Sequence, residues 1–168
     1  VKMTDKNKNY ILYISLLIGV VSGCMPHMTM QTVSAVVVFV ALILAYFIRS
    51  REEEDHLVWH HATFVIRTIW IWSLFIVIGM VGAGFTVQMT ADMSAIDALT
   101  ARIMEGMVPS EYDIEASTQA YLNTNYNLIL TTTIAWLAPA QVYALWRVYK
   151  GLSRAKDGYR VQNLRGWF

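Results

Sequence analysis

Apolar residues in this chain gather into long uninterrupted blocks instead of alternating at short range. Such blocks predict helices that cross about 30 Å of hydrocarbon, which takes roughly 20 residues. The first block runs from Tyr10 to Cys24 (span 10–24), short for a crossing and preceded by Asn7 to Asn9. A turn is expected over Ser22 to Met30, because Pro26 disfavours helix at Met25. The second block, 30–48, holds Val, Ala, Leu and Ile without a break and stops at Arg49, Ser50 and Arg51. The third, 63–87, follows the acidic run Glu52 to Asp55 and carries Trp70 and Trp72, with Trp59 just before it. Aromatic residues of this kind anchor helices at membrane interfaces.

From Gln88 to Asn125 the chain turns polar and acidic, which predicts an outer loop over 88–125. Within it Met93, Ile96, Leu99, Ile103 and Met107 recur at helical spacing, and Ser94 with Asp97 has the form of a capping box. An interfacial amphipathic helix ending before Pro109 is expected there. The fourth block, 127–149, contains Pro139 near its middle, where a kink is expected, and a polar side made of Asn125, Asn127, Thr131, Thr132, Thr133 and Gln141. The fold class that follows is all-α: an integral membrane four-helix bundle, one transmembrane domain over 1–168, closed by a basic tail at 150–168.

Composition agrees. Hydrophobic residues make up 56% of 168 and charged residues only 15%, far from the balance of a water-soluble domain. The net charge of +1 conceals an asymmetry between segments. Three basic residues precede the first span, three lie between Arg49 and Arg67, and six fall from Arg147 onward. The loop between spans three and four has Arg102 alone against Asp92, Asp97, Glu105, Glu111, Asp113 and Glu115. The positive-inside rule then puts both termini in the cytoplasm of a multi-pass protein. Lys2, Lys6 and Lys8 ahead of an apolar run look like a secretory leader, but no small-x-small cleavage pattern follows Val21, so an uncleaved first helix is expected. Cys24 is the single cysteine, which excludes an intrachain disulfide and a cysteine-built zinc site.

Two segments, HHATFVIRTIWI from His60 to Ile71 and RVYKGLSRAKDGYRVQNLRGWF from Arg147 to Phe168, carry a family resemblance. In the first, His61 stands five residues before the triplet Ile66, Arg67, Thr68, followed by Trp70 and Ile71; in the second, an Arg-x-x-Lys-Gly-Leu helix ending is followed by a glycine turn and a short tail. This resembles the small bacterial membrane proteins of the Tic-twenty-like clan, mostly of unassigned activity. The resemblance covers about two thirds of the chain. Val161 and Leu164 stand where the family tail usually has prolines, and the hairpin from Tyr10 to Ile48 is less compact than usual. It implies a helical fold in the bacterial inner membrane and, by distant analogy, a link to protein translocation. It also implies positions for His61 and Arg67.

Candidate chemistry is sparse. His56 and His60 at i, i+4 share a helix face, the spacing of a two-histidine metal site, or else belong to a charged juxtamembrane helix. Arg67, about a turn inside its span, either snorkels or pairs with a carboxylate or a lipid phosphate. The structural or headgroup set is therefore His61, Arg67, Arg147, Lys150 and Trp167. Cys24, Met25, His27, Met28 and Met30 combine thiol, thioether and imidazole donors that suit Cu(I), so copper is the one cofactor considered; packing is the plainer role for these methionines. Gly19 with Gly23, and Gly79 with Ala83, permit close helix approach. The cations after Arg147, interleaved with Tyr159, Trp167 and Phe168, point to anionic headgroups and not to nucleic acid. No hydrolase triad, phosphate loop or dinucleotide fingerprint occurs, so no enzyme is expected. The expected role is a noncatalytic structural or accessory subunit that partners lipids and other membrane protein subunits. A translocation or solute pathway, and copper handling, are the alternatives.

Overall fold

The computed structural model describes residues 4–25 and 27–161. Among them the chain is all-helical: α1 (Asp5–Gly23), α2 (Met28–Ser50), α3 (Leu57–Thr90), α4 (Ser94–Met104) and α5 (Glu111–Lys156). Three of these, α2, α3 and α5, are long and apolar enough to cross a membrane. The first, α1, is not among them: its 19 residues begin on the polar run Asp5 to Asn9, five residues before the expected start at Tyr10.

The helix ends follow from local chemistry. The Thr4 hydroxyl accepts the Asn7 N–H at the start of α1. Gln31 closes the α1–α2 turn by donating from Nε2 to the carbonyls of Gly23 and Met25. This turn is tighter than Ser22 to Met30, and Pro26 lies outside the described residues. Both α4 and α5 end in Schellman turns. Gly106, at φ +93, follows α4, with Met107 N–H on Arg102 O; Gly158, at φ +73, follows α5, with Tyr159 N–H on Arg154 O.

The expected loop 88–125 is mostly helix. α3 continues to Thr90 and α5 already starts at Glu111, sixteen residues before the expected Asn127. The reason is a reciprocal cap: Ser110 N–H donates to Asp113 Oδ2 at 3.0 Å, and Asp113 N–H to Ser110 Oγ at 3.2 Å. α4 lies within the stretch Met93 to Met107, and Ser94 and Asp97 form no capping box. Asp92 takes that role, its Oδ1 accepting the Ser94 N–H at 2.9 Å. That bond also holds the exposed Asp92 carboxyl below its ordinary pKa of 3.8. Pro139 lies inside α5, which is helical on both sides of it.

The chain forms two compact units. Unit 1 comprises residues 1–76 and 139–168, and its core is Leu12, Tyr13, Leu16 and Val20 of α1 with Ala41 and Ala45 of α2, Phe64, Val65 and Ile69 of α3, and Ala144 and Val148 of α5. α1 and α2 meet closely at Gly19, where a Cβ would stand 2.5 Å from Val38 Cγ2, and Ser34 Oγ donates to the Gly19 carbonyl at 2.7 Å. The Gly19 and Gly23 pair thus serves intramolecular packing. Outward, α1 shows Ile11, Ile14 and Ile18, and α2 shows Val36, Phe39 and Ile43. An apolar exterior around a partly polar core is what a lipid solvent demands.

Unit 2 is residues 77–138. Here the distal parts of α3 and α5 pack through Gly79 and Gly82, and a Cβ at Gly82 would stand 2.6 Å from the Trp136 ring. Trp136 Nε1 donates to Thr86 Oγ1 at 3.1 Å, and Ala83 is buried beside these glycines. Asn125, expected on a polar helix side, is buried instead: its Oδ1 accepts Asp92 N–H at 2.8 Å and its Nδ2 donates to the carbonyls of Asp92 and Tyr121. α4 buries no residue.

Candidate functional site

A buried, hydrogen-bonded polar group lies inside unit 1, on α1, α3, α5 and the turn after α5. His61 of α3 is completely buried, and both ring nitrogens are engaged. Nε2 stands 3.1 Å from the Tyr159 carbonyl and Nδ1 stands 2.8 Å from the Tyr13 hydroxyl. A carbonyl only accepts, so in the neutral ring Nε2 carries the proton and Nδ1 accepts from Tyr13. The two rings also meet edge to face at 5.6 Å. Gly151 of α5 makes room for this pair, because the Tyr13 ring occupies the place where a Cβ at 151 would be.

One face of α3 continues to Thr68, whose hydroxyl donates to Phe64 O at 2.7 Å and accepts from Arg147 Nε at 3.2 Å. Arg147 is fully buried, its guanidinium 3.8 Å over the Phe64 ring and 5.9 Å from the Tyr143 ring. A buried guanidinium is retained only where stacking and hydrogen bonds replace its hydration. The sequence places Arg147 merely at the head of a basic tail. The signal that it points inward is the row Ala140, Ala144, Arg147, Gly151, Ala155, in which small residues recur at helical spacing around it. Arg67 is on α3 beside Thr68, half-buried and partnered. His61, Arg67 and Arg147 all belong to unit 1. Lys150 sits apart, with its Nζ 4.6 Å over the Trp146 ring, and Trp167 lies outside the described residues.

A second polar cluster ties the start of α1 to the segment between α2 and α3. Lys8 pairs with Glu52, and His56 places Nδ1 3.2 Å from Glu52 Oε2 and Nε2 3.4 Å from Asp5 Oδ2. Hydrogen bonding to Glu52 holds the Lys8 ammonium above its ordinary 10.5. His56 Nδ1 thus faces both Glu52 Oε2 and, at 3.4 Å, the Val58 N–H where α3 begins, and it serves one at a time: protonated it donates to the carboxylate, unprotonated it accepts the amide. Among the described residues its i+4 neighbour His60 has both ring nitrogens buried without a hydrogen-bond partner, as has the Asn9 amide, which is 0% exposed.

Cys24 Sγ donates to Val20 O at 3.4 Å, Met28 is among the most exposed side chains, and Met25 and Met30 are exposed as well. His27 precedes α2 without capping it through its side chain. Among the described residues no three His, Cys, Asp or Glu side chains gather as cation ligands. No family model matches the chain, and neither the curated proteins nor the solved structures contain a match.

Proposed function

We propose that this chain is a multi-pass protein of the bacterial inner membrane and a noncatalytic structural or accessory subunit of a larger membrane assembly. Four crossings, with α1 as the first and both termini cytoplasmic, fit the distribution of basic residues. The observation that carries the reading is the use made of the buried polar groups. His61 spends both nitrogens on Tyr13 and Tyr159, and Arg147 is committed to Thr68 and Phe64. Groups engaged this way fasten helices and are not held ready for a substrate. The resemblance of 60–71 and 147–168 to Tic-twenty-like proteins supports the same class.

Crosslinking in native membranes, followed by purification in mild detergent, tests the proposal. A stoichiometric larger complex is the expected product, and recovery of uncrosslinked monomer alone would refute it. A second reading, a solute or polypeptide path, is favoured by Gln141, whose buried Oε1 accepts no hydrogen bond among the described residues. Under that reading reconstituted liposomes leak solute and Gln141→Leu changes the leak, whereas tight liposomes exclude a constitutive path.

A further inference from the structure

One end of unit 1 repeats a three-tier pattern on three helices. On α1, Lys6 lies over the Tyr10 ring at 5.8 Å; on α2, Arg51 lies over Phe47 at 4.0 Å; on α5, Lys150 lies over Trp146 at 4.6 Å. Each is a pair four residues apart, and in each the cation is nearer the same end of the unit. That end is identified by contact: Lys8 meets Glu52 just past α2, and the turn after α5 reaches His61 near the start of α3. Arg49 adds a fourth pair, 5.3 Å over Trp59. One turn deeper, the same helix faces present exposed aliphatic or aromatic side chains: Ile14 below Tyr10, Ile43 below Phe47, Val142 below Trp146. A further turn exposes Ile18 and Phe39.

Cation, aromatic ring and hydrocarbon, each about 6 Å below the last at 1.5 Å per residue, match the layering of a bilayer leaflet. Stacking occupies one face of each cation and leaves N–H groups free for phosphate oxygens. Among the described residues none of Lys6, Arg49, Arg51 or Lys150 forms an ion pair with a carboxylate; Asp5 and Glu52 are turned to Lys8 and His56 instead. Slightly deeper, exposed Trp70 Nε1 donates to Tyr46 OH at 3.2 Å, so this indole brings its own acceptor into a solvent that has none. From this arrangement we propose that Lys6, Arg51 and Lys150, with Arg49, form a docking belt for the phosphates of anionic phospholipids, whose chains lie along the aliphatic tier beneath. The belt also sets α1 at the same depth as α2 and α5. The inference rests on the membrane reading and adds the residues that select anionic lipids and the tiers that hold them.

The test uses the full chain in nanodiscs of phosphatidylcholine mixed with phosphatidylglycerol, with retained lipids counted by native mass spectrometry. Wild type retains phosphatidylglycerol in preference, and the preference falls about fivefold for each cation removed in K6Q, R51Q and K150Q, from the usual strength of a basic residue at an anionic surface. The charge-preserving K6R/R51K/K150R variant keeps it. Equal retention of both lipids by wild type, or a K6Q/R51Q/K150Q variant that retains phosphatidylglycerol as wild type does, would overturn the belt. Carbonate extraction of native membranes separates the two failures: a stripped chain defeats the membrane reading, and a chain that stays without lipid preference defeats only the belt.

Discussion

The ring of Tyr13 fills the space that a side chain at residue 151 would occupy, so α1 and α5 touch backbone to ring at this point. Replacing Gly151 with alanine forces its Cβ into that ring, an overpacking that costs about 1–3 kcal/mol in a well-filled core. Denaturant melting in detergent is expected to show the loss for G151A. The loss should shrink when the same change is made in a Y13A background. An equal loss in both backgrounds would mean that the close approach is not what the substitution disturbs.

Tyr13→Phe removes the donor that faces His61 Nδ1 and leaves a buried acceptor unpaired. The expected cost is about 1–3 kcal/mol. His61→Leu in the same chain deletes the orphaned acceptor, so a double-mutant cycle should give strongly non-additive losses. Additive losses would place the two side chains in separate environments.

Asn9 makes the opposite prediction. Its amide is buried with neither atom bonded among the described residues, so Asn9→Leu removes a desolvation cost and adds apolar packing. Stability is expected to rise by about 1–3 kcal/mol, read from the same melts. Destabilisation by this substitution would reveal a partner for the amide.

In unit 2, two glycines only two residues apart should part company. Gly82→Ala meets the Trp136 ring, while Gly84→Ala meets nothing within 4 Å. The first is expected to destabilise by about 1–3 kcal/mol. The second is expected to be neutral or to stabilise α3 by up to about 1 kcal/mol through helix propensity. Trp136 fluorescence, compared against the W136F chain, follows the local packing in both.

The Asp92 cap carries a pH dependence of known sign. Because the folded carboxyl is held below 3.8, its contribution is complete above that value and is lost as pH falls through the lower folded value. Hydrogen exchange at the Ser94 amide should therefore accelerate under acid, relative to the intrinsic rate, in wild type. In D92N it should be raised already at neutral pH and show no such acid step.

Much of this organisation is legible in the chain. The break at Arg49 to Arg51 closes α2, and α4 shows its apolar spacing although Ser94 is not its cap. α5 is longer than its apolar block because Glu111 to Asn125 has no apolar period; the only mark of its start is the Ser110 and Asp113 pair. Arg67 stands out as an ionisable residue in an apolar run, and His61 through the family resemblance. The burial of Asn9 does not, since it belongs to a polar run, and that of Arg147 is marked only by the small residues Ala140, Ala144, Gly151 and Ala155 spaced around it. The stacking of Lys6, Arg51 and Lys150 is hidden for a similar reason: each spacing of four is unremarkable until three helices bring the pairs to one end.

The hydrogen bond between His61 and the Tyr159 carbonyl spans 98 positions, which has a consequence during synthesis. Unit 1 draws on 1–76 and again on 139–168, so its first part must wait while at least 62 intervening residues are made. At about 5–20 residues per second that wait is roughly 3–12 s. Through that interval the nascent chain carries a His61 Nε2–H whose final acceptor is not yet made, although Nδ1 already faces Tyr13. An insertase or a neighbouring chain that shelters this N–H would act on the newborn protein and leave no trace in the finished one.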